Sequence, residues 1–176
     1  MQRMARLARD TGMPEPPADF AAFYAAHFQR LAVQLYAYLG DHAEAQDLTQ
    51  EAFCRALERW PRVGGYADPS AWVRHVAWNL AKSRLRRVQT ALRYLAGQRE
   101  THVAAPTEDR VALVAARTTL PPAQRRALVL YHLGRLSVAE IAEQEGAAEG
   151  TVRSWLTRGR ATLAARLSPS EVHHAG

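Results

Sequence analysis

The sequence predicts an all-α protein: two small helical domains joined by a linker, the C-terminal one containing a helix-turn-helix. Three observations carry this. Apolar residues recur at helical spacing nearly throughout, and no stretch alternates as a half-buried strand would. The periodic signal fades after about residue 87 and resumes near residue 120. Between residues 136 and 163 two short helical patterns meet across a glycine. The expected organisation is an N-terminal extension over 1–15, a first domain over 16–88, a linker over 89–113, a second domain over 114–168 and a tail over 169–176.

The first domain should open on a helix with the buried stripe Phe20, Tyr24, Phe28, Leu31 and Leu35. A second helix should start at Asp41, because Asp41-His42-Ala43-Glu44 reads as a capping box, each side chain satisfying a backbone N–H of the other residue. Its expected apolar face is Leu48, Ala52, Ala56 and Trp60, with Pro61 stopping it and Gly64-Gly65 making a loop. Asp68-Pro69 should start a third helix, an acid at the cap and proline at the first helical position, where a missing N–H costs nothing. Trp72, Val73, Val76 and Leu80 are its expected core contacts. The stretch 88–107, with Gly97 and Pro106 as breakers, reads as linker with room for a partial helix.

In the second domain Leu120-Pro121-Pro122 opens a helix that carries Leu128 and Tyr131 and closes at Gly134. Ser137-Val138-Ala139-Glu140 is another capping box, with Leu136 placed to staple against Ile141. That short helix runs to Gly146, where glycine permits a tight exit. Glu149-Gly150-Thr151-Val152 then begins a second helix with Val152 and Leu156 on its inner face. Two short helices, a glycine turn and a basic second helix make a helix-turn-helix, whose second helix lies in the DNA major groove. Thr151 and the N-terminal amides would hold phosphate, while Arg153, Ser154, Thr157 and Arg158 face outward. The plainer alternative is a helical hairpin with solvated arginines. Cap, staple, turn glycine and basic helix agree against it.

Composition narrows the classes. The chain has 176 residues, an apolar share of 48% and a mean hydropathy of −0.31, which suit a water-soluble protein, and no apolar run could span a bilayer. Arg3, Arg6 and Arg9 are not followed by an apolar segment and cleavage site, so a secretory signal is not expected. The one cysteine, Cys54, cannot form an internal disulfide, and a reducing cytoplasm is the default. The formal charge is +6, and its distribution is the informative part. Arg74–Arg99 holds seven basic residues and no acid, and Gly150–Arg166 holds four more and no acid. Two acid-free segments point to two places where phosphates are met, against the alternative of solvated helix faces.

Two stripes in the first domain add to this. Asp47, Gln50, Glu51, Cys54 and Glu58 share one polar, acidic helix face in a basic protein, either solvated surface or a docking face for a basic partner. His75, Asn79, Lys82 and Arg86 step by four, three and four along the third helix. An amide and cations with neighbouring aromatics suit single-stranded DNA, where bases stack and phosphates pair. Trp72 reads as core, whereas Trp78 is either core or a stacking surface. His27, His42, His132 and the His173-His174 tail have no metal-site spacing.

These strings, in this order, resemble the sigma-70 family, specifically its extracytoplasmic-function group, over roughly Asp19–Arg87 and Leu120–Leu167. Asp47-Leu48-Thr49-Gln50-Glu51-Ala52-Phe53 is similar to the family's core-binding helix, and the resemblance implies that Asp47, Gln50, Glu51 and Phe53 meet core RNA polymerase at the clamp helices of β′. Asp68-Pro69-Ser70-Ala71-Trp72-Val73-Arg74 and Asn79-Leu80-Ala81-Lys82-Ser83 resemble the part that recognises and opens the −10 element. This implies DNA contacts from Arg74, His75, Asn79, Lys82, Arg86 and Arg87, with Asn79 beside a flipped base. Gly150-Thr151-Val152-Arg153-Ser154 is similar to the start of the −35 recognition helix, implying contacts from Thr151, Arg153, Ser154, Trp155, Thr157 and Arg158. The linker is too short for the intermediate domain of larger members, and nothing past Leu167 reads as a further domain. The pattern around Trp60, Asp68-Pro69 and Arg158-Gly159 leans toward an actinobacterial subgroup.

Three departures from the family pattern stand out. Glu145 replaces an apolar residue before the turn glycine, which predicts looser packing there. Ala148 replaces a capping serine or threonine at a cost of about 1 kcal/mol. Trp155 stands where a basic residue is common. The resemblance implies promoter DNA and core polymerase (clamp helices of β′, flap of β) as partners, with an anti-sigma factor as a candidate, and no cofactor, metal or catalytic residue. The competing reading is a free-standing helix-turn-helix regulator, which would need neither the acidic face nor the Asn79 stripe. An enzyme is disfavoured, since no metal spacing, phosphate-cradling glycine loop or nucleophile–base pair is found.

Overall fold

The computed structural model describes residues 17–96 and 120–167. The chain splits into two compact units between residues 102 and 103, and all regular structure among the described residues is helical. The first unit holds α1 (Ala18–Leu39), α2 (His42–Glu58), α3 (Trp60–Val63) and α4 (Pro69–Ala96). The second holds α5 (Pro122–His132), α6 (Val138–Glu145) and α7 (Glu149–Leu167).

In the first unit α1 closes on Gly40, whose φ of 71° is left-handed and whose N–H donates to the Tyr36 carbonyl at 2.7 Å. Asp41 follows as the cap of α2, its carboxylate accepting from the Glu44 N–H at 3.0 Å. The two-residue turn folds α2 back against α1, and α4 packs on both. One end of the core is aromatic. Phe20 meets Trp60 edge-on at 4.9 Å between ring centroids, and Tyr24 meets Phe53 edge-on at 5.0 Å. The Trp60 indole N–H donates to Asp19 Oδ2 at 2.8 Å, so a buried polar tip is satisfied across 41 residues of chain. At the other end Tyr38 and Trp78 lie 5.1 Å apart.

The buried stripe of α1 holds Phe20, Tyr24, Leu31 and Leu35, while Phe28 is half-buried. The expected face of α2 needs correcting. Its buried residues are Ala45, Thr49, Ala52, Phe53 and Ala56, whereas Leu48 is half-buried. Thr49 is tolerated inside because its hydroxyl donates to the Ala45 carbonyl at 2.7 Å, one turn back. Pro61 does not stop α2, which already ends at Glu58; it sits in the first turn of α3, where its missing N–H is harmless.

Of the two tryptophans of α4, the structure takes the core alternative for Trp78 and corrects the core expectation for Trp72. Trp78 is 0% exposed and belongs to the core with Val73, Ala77 and Ala81, while Trp72 is half-buried. Val76 and Leu80 are also half-buried. Helix α4 continues to Ala96 without a break at Arg87, so part of the expected linker is helix; the expectations for 97–119, for 1–15 and for the tail fall outside the described residues.

In the second unit Leu120 is buried and Pro122 occupies the first turn of α5. A Cβ on Gly134 would lie 2.4 Å from the Leu130 carbonyl oxygen, so only glycine fits that close approach. The left-handed residue at this exit is Arg135, with φ 61°. Ser137 and Glu140 form both halves of the capping box, and Leu136 and Ile141 are buried on either side of it. Gly146, at φ 63°, ends α6, and the Ala147 N–H reaches back to the Ala142 carbonyl at 2.9 Å. Looser packing at Glu145 is not found. Its side chain is only 3% exposed and accepts from Arg126 Nε at 2.8 Å, an ion pair that ties α5 to α6.

Candidate nucleic-acid interface

Helix α4 begins with a charged cap. Asp68 Oδ1 accepts from the Ala71 N–H at 3.0 Å and the Ser70 hydroxyl at 2.6 Å. Partial burial works to raise its pKa, but those two bonds and the Arg74 guanidinium outweigh it and hold the carboxyl below the ordinary aspartate value. Past the cap, α4 carries no acidic residue over its 28 positions.

His75, Asn79 and Arg86 are exposed and Lys82 is half-buried, all along one side of α4. Arg87 is exposed at the edge of that side. Arg74 does not join them: five residues before Asn79 it points about 140° away around the helix, half-buried and close to Asp68. Its place is with the cap. Arg84 is also spent internally, donating from Nε to Glu44 Oε1 of α2. Trp72, seven residues before Asn79 and therefore on nearly the same side, is the aromatic available to this stripe; its spacing from Asn79 carries that signal, although an apolar ring by type reads as core.

The acidic stripe of α2 projects from the first unit with Asp47, Glu51 and Glu58 exposed and Gln50 and Cys54 half-buried. Gln50 is fixed from both ends, its Oε1 accepting from the Tyr24 hydroxyl at 2.9 Å and its amide 3.6 Å from Cys54 Sγ. Glu51 pairs with Arg55 one turn on, at 2.9 Å between exposed groups. Phe53 is a correction. At 0% exposure it lies under the stripe among Phe20, Phe23, Tyr24 and Phe28, where its ring supports α2 from the core.

In the second unit α7 buries Val152, Leu156 and Gly159. A Cβ on Gly159 would stand 2.8 Å from Leu128 Cδ1, so this glycine brings α7 close to α5. Thr151, Arg153, Thr157 and Arg158 are exposed and Ser154 is half-buried. Arg153 reaches Glu149 at 2.5 Å, and Arg158 donates twice to the Ser154 hydroxyl, at 2.9 and 2.6 Å. Both guanidinium groups are thus held by a residue one turn earlier. Trp155 shares its side with buried Val152 and Gly159 and is itself half-buried, so it flanks the outward face. Arg160 turns elsewhere, its guanidinium 5.1 Å from the centre of the Tyr131 ring. Among the described residues no group of His, Cys, Asp and Glu could hold a metal, and no helix is long and apolar enough to cross a membrane.

Two family descriptions match the chain: Sigma-70 region 2 over residues 23–91 and Sigma-70, region 4 over residues 110–163. The ECF RNA polymerase sigma factor SigC of Mycobacterium tuberculosis is 34% identical over 142 residues, 77% of each chain. The RNA polymerase sigma-E factor of Streptomyces antibioticus is 31% identical over 135 residues, 75% of each chain. Among solved structures, the sigma factor RpoE, in complex with the anti-sigma factor NepR from Bartonella quintana, superposes with a TM-score of 0.70 at 21% identity, covering 88% of this chain and 99% of that one. That likeness concerns the fold. A free-standing regulator would account for the region 4 match but not for region 2 beside it, and with relatives above 30% identity across most of both chains, the chain belongs to the sigma-70 family of RNA polymerase sigma factors, in its extracytoplasmic-function group, and directs transcription initiation.

Proposed function

We propose that three helix faces divide the work of initiation between polymerase and promoter. Asp47, Gln50 and Glu51 dock on the clamp helices of core polymerase, with Phe53 as the buried support of that face. His75, Asn79, Lys82, Arg86 and Arg87 take the −10 element, Asn79 offering both a donor and an acceptor to an unpaired base while the cations hold its backbone. Thr151, Arg153, Ser154, Thr157 and Arg158 take the −35 element in the major groove, with Trp155 at the rim. The boundaries 16–88 and 114–168 are proposed for the two working domains, and the chain works in the cytoplasm as a recognition subunit, leaving the chemistry to core polymerase. An anti-sigma factor is proposed as a further partner, by likeness to the RpoE complex.

The observation that carries this reading is the sorting of charge: exposed Asp47 and Glu51 on α2, against an α4 without a single acid. A helix built only to be soluble would mix the signs. Reversing both charges, Asp47→Arg with Glu51→Arg, should weaken assembly with core polymerase on the order of 100-fold, because like charges then face each other across the interface. Helicity should be unchanged, since both side chains are exposed. Assembly is read by gel filtration or fluorescence anisotropy, and wild-type affinity in a folded double variant would remove the docking assignment.

A further inference from the structure

Helix α7 carries Arg153, Arg158, Arg160 and Arg166 but a single acid in its 19 residues, Glu149 in the first turn. That acid meets an arginine of the proposed −35 face. Arg153 Nη2, one turn on, donates to Glu149 Oε2 at 2.5 Å. Arg158 is held differently, its Nε and Nη2 both donating to the Ser154 hydroxyl, a neutral group, at 2.9 and 2.6 Å. One guanidinium therefore has its charge matched by a carboxylate within the helix. The other keeps its charge for an external anion.

Helical geometry says which anion that is. Val152, Leu156 and Gly159 are buried, so at about 100° per residue Gly150, Ser154 and Thr157 form the outward ridge. Arg153 and Arg158, about 140° apart, lie on either side of it. A helix seated in a major groove about 12 Å wide has a sugar–phosphate rim on each side, and an arginine on a flank meets that rim first. Such contacts are independent of sequence and supply nearly all of the binding to non-promoter duplex. A phosphate approaching Arg153 has to displace Glu149, and the carboxylate then stays beside it as a like charge. With the side chains of Arg153 and Glu149 62% and 48% exposed, the pair adds little to folding; its consequence falls on the charge that α7 presents to DNA. We propose that Glu149 is an internal counter-anion, which withholds Arg153 from the phosphates of any duplex the chain meets and so restrains sequence-independent binding by the recognition helix. The proposal rests on the assignment of α7 to the −35 element.

The experiment is fluorescence anisotropy of the full chain on a labelled non-promoter duplex, across a salt series that starts low. Glu149→Gln should tighten binding about fourfold and steepen the log–log salt dependence by about 0.9, one more phosphate being neutralised. Arg153→Ala gives the sharper readout. With Glu149 present it should leave the slope nearly unchanged, whereas in the Glu149→Gln background it should make the slope shallower by about 0.9. An equal effect of Arg153→Ala in both backgrounds would overturn the proposal. So would tightening by Glu149→Gln that persists without Arg153, since the carboxylate would then repel phosphate by itself. Thermal melts run alongside. If Glu149→Gln lowers the melting temperature of the second unit and leaves the slope alone, Glu149 only stabilises the start of α7 and the proposal falls. Arg158→Ala tests the underlying assignment, and it should make the slope shallower by about 0.9 in either background. If it does not, α7 does not meet the duplex and the −35 assignment fails first; if it does while Glu149→Gln changes nothing, only the counter-anion is overturned.

Discussion

The two helices proposed to face DNA are anchored by different materials. Helix α4 has 28 residues and is held by an indole and small side chains (Val73, Ala77, Trp78, Ala81) against long neighbours, with an aromatic cluster closing the far end of the unit. Helix α7 has 19 residues and rests on Val152, Leu156 and the close approach at Gly159, in a unit whose remaining order comes from a capping box, a left-handed glycine and the Arg126–Glu145 pair. A smaller unit buries a smaller fraction of its surface, so individual polar contacts weigh more in it. The first unit should therefore fail by loss of volume, the second by loss of a contact.

The largest effect is expected in the first unit. Phe53 and Trp78 are both 0% exposed, and Phe53→Ala or Trp78→Ala should each cost ~3–5 kcal/mol. By calorimetry the transition of the first unit should fall by many degrees or vanish while that of the second stays in place. Trp78→Phe sharpens the point. The buried Trp78 Nε1 has no hydrogen-bond partner, and an orphaned donor costs about 1–3 kcal/mol, so removing it offsets much of the lost volume and the net change should stay within about 1 kcal/mol. A large loss in Trp78→Phe would mean the indole N–H finds a partner in solution. Wild-type stability in Phe53→Ala would return that residue to the docking face.

Next in size is the ion pair. Glu145 is nearly out of water and Arg126 is 15% exposed, so Glu145→Ala leaves a poorly solvated guanidinium and should cost about 2–3 kcal/mol, short of the 3–5 kcal/mol of a fully buried pair. Arg126→Leu with Glu145→Leu should recover most of that, since well-packed apolar residues often replace such pairs without loss. Denaturant unfolding of the single and double variants checks this. A double variant as unstable as the single one would show that the pair fixes geometry that apolar packing cannot supply.

The contrast also explains what the sequence made legible. The second unit is written in local rules: Ser137 with Glu140, Gly146, and the Val152–Leu156 spacing each act within a few residues, and the structure has them where the pattern placed them. Glu145 is not legible in this way because its partner lies 19 residues away on another helix. The first unit depends more on such distant contacts. Which tryptophan of α4 turns inward is decided by Tyr38 and the rest of the core, and the indole of Trp60 is satisfied by Asp19, 41 residues earlier. Periodicity gave the helices and the exposed stripe of Asn79, since a polar stripe is the complement of an apolar one. It does not rank residues on the flanks, where Trp72 is half-buried; Phe53 and Arg74 enter through the resemblance alone, and the structure buries the first and half-buries the second.

The smallest effect concerns how the two helices begin. Helix α4 enters through a charged cap at Asp68, whereas α7 enters through Ala148, which offers only its carbonyl, to the N–H groups of Thr151 and Val152 at 2.9 and 3.2 Å. Asp68→Ala should make the first entry resemble the second at a cost of about 1 kcal/mol, and Ala148→Ser should do the reverse with a gain of similar size. The two differ in pH dependence. Because the folded Asp68 carboxyl titrates below its ordinary value, its charge contributes stability above the unfolded pKa of about 4 and loses it as pH falls through the folded value. The gap between wild type and Asp68→Asn, which keeps the cap oxygen but not the charge facing Arg74, should thus be a few tenths of a kcal/mol at pH 7 and close in acid, as pH falls below the lowered folded pKa. Ala148→Ser adds no titrating group, so its gain should persist across that range. Thermal melts of the three variants over a series from pH 7 into acid make the measurement. An Asn gap that survives at low pH would mean that Asp68 acts through hydrogen bonds alone, and the electrostatic difference between the two helix entries would disappear.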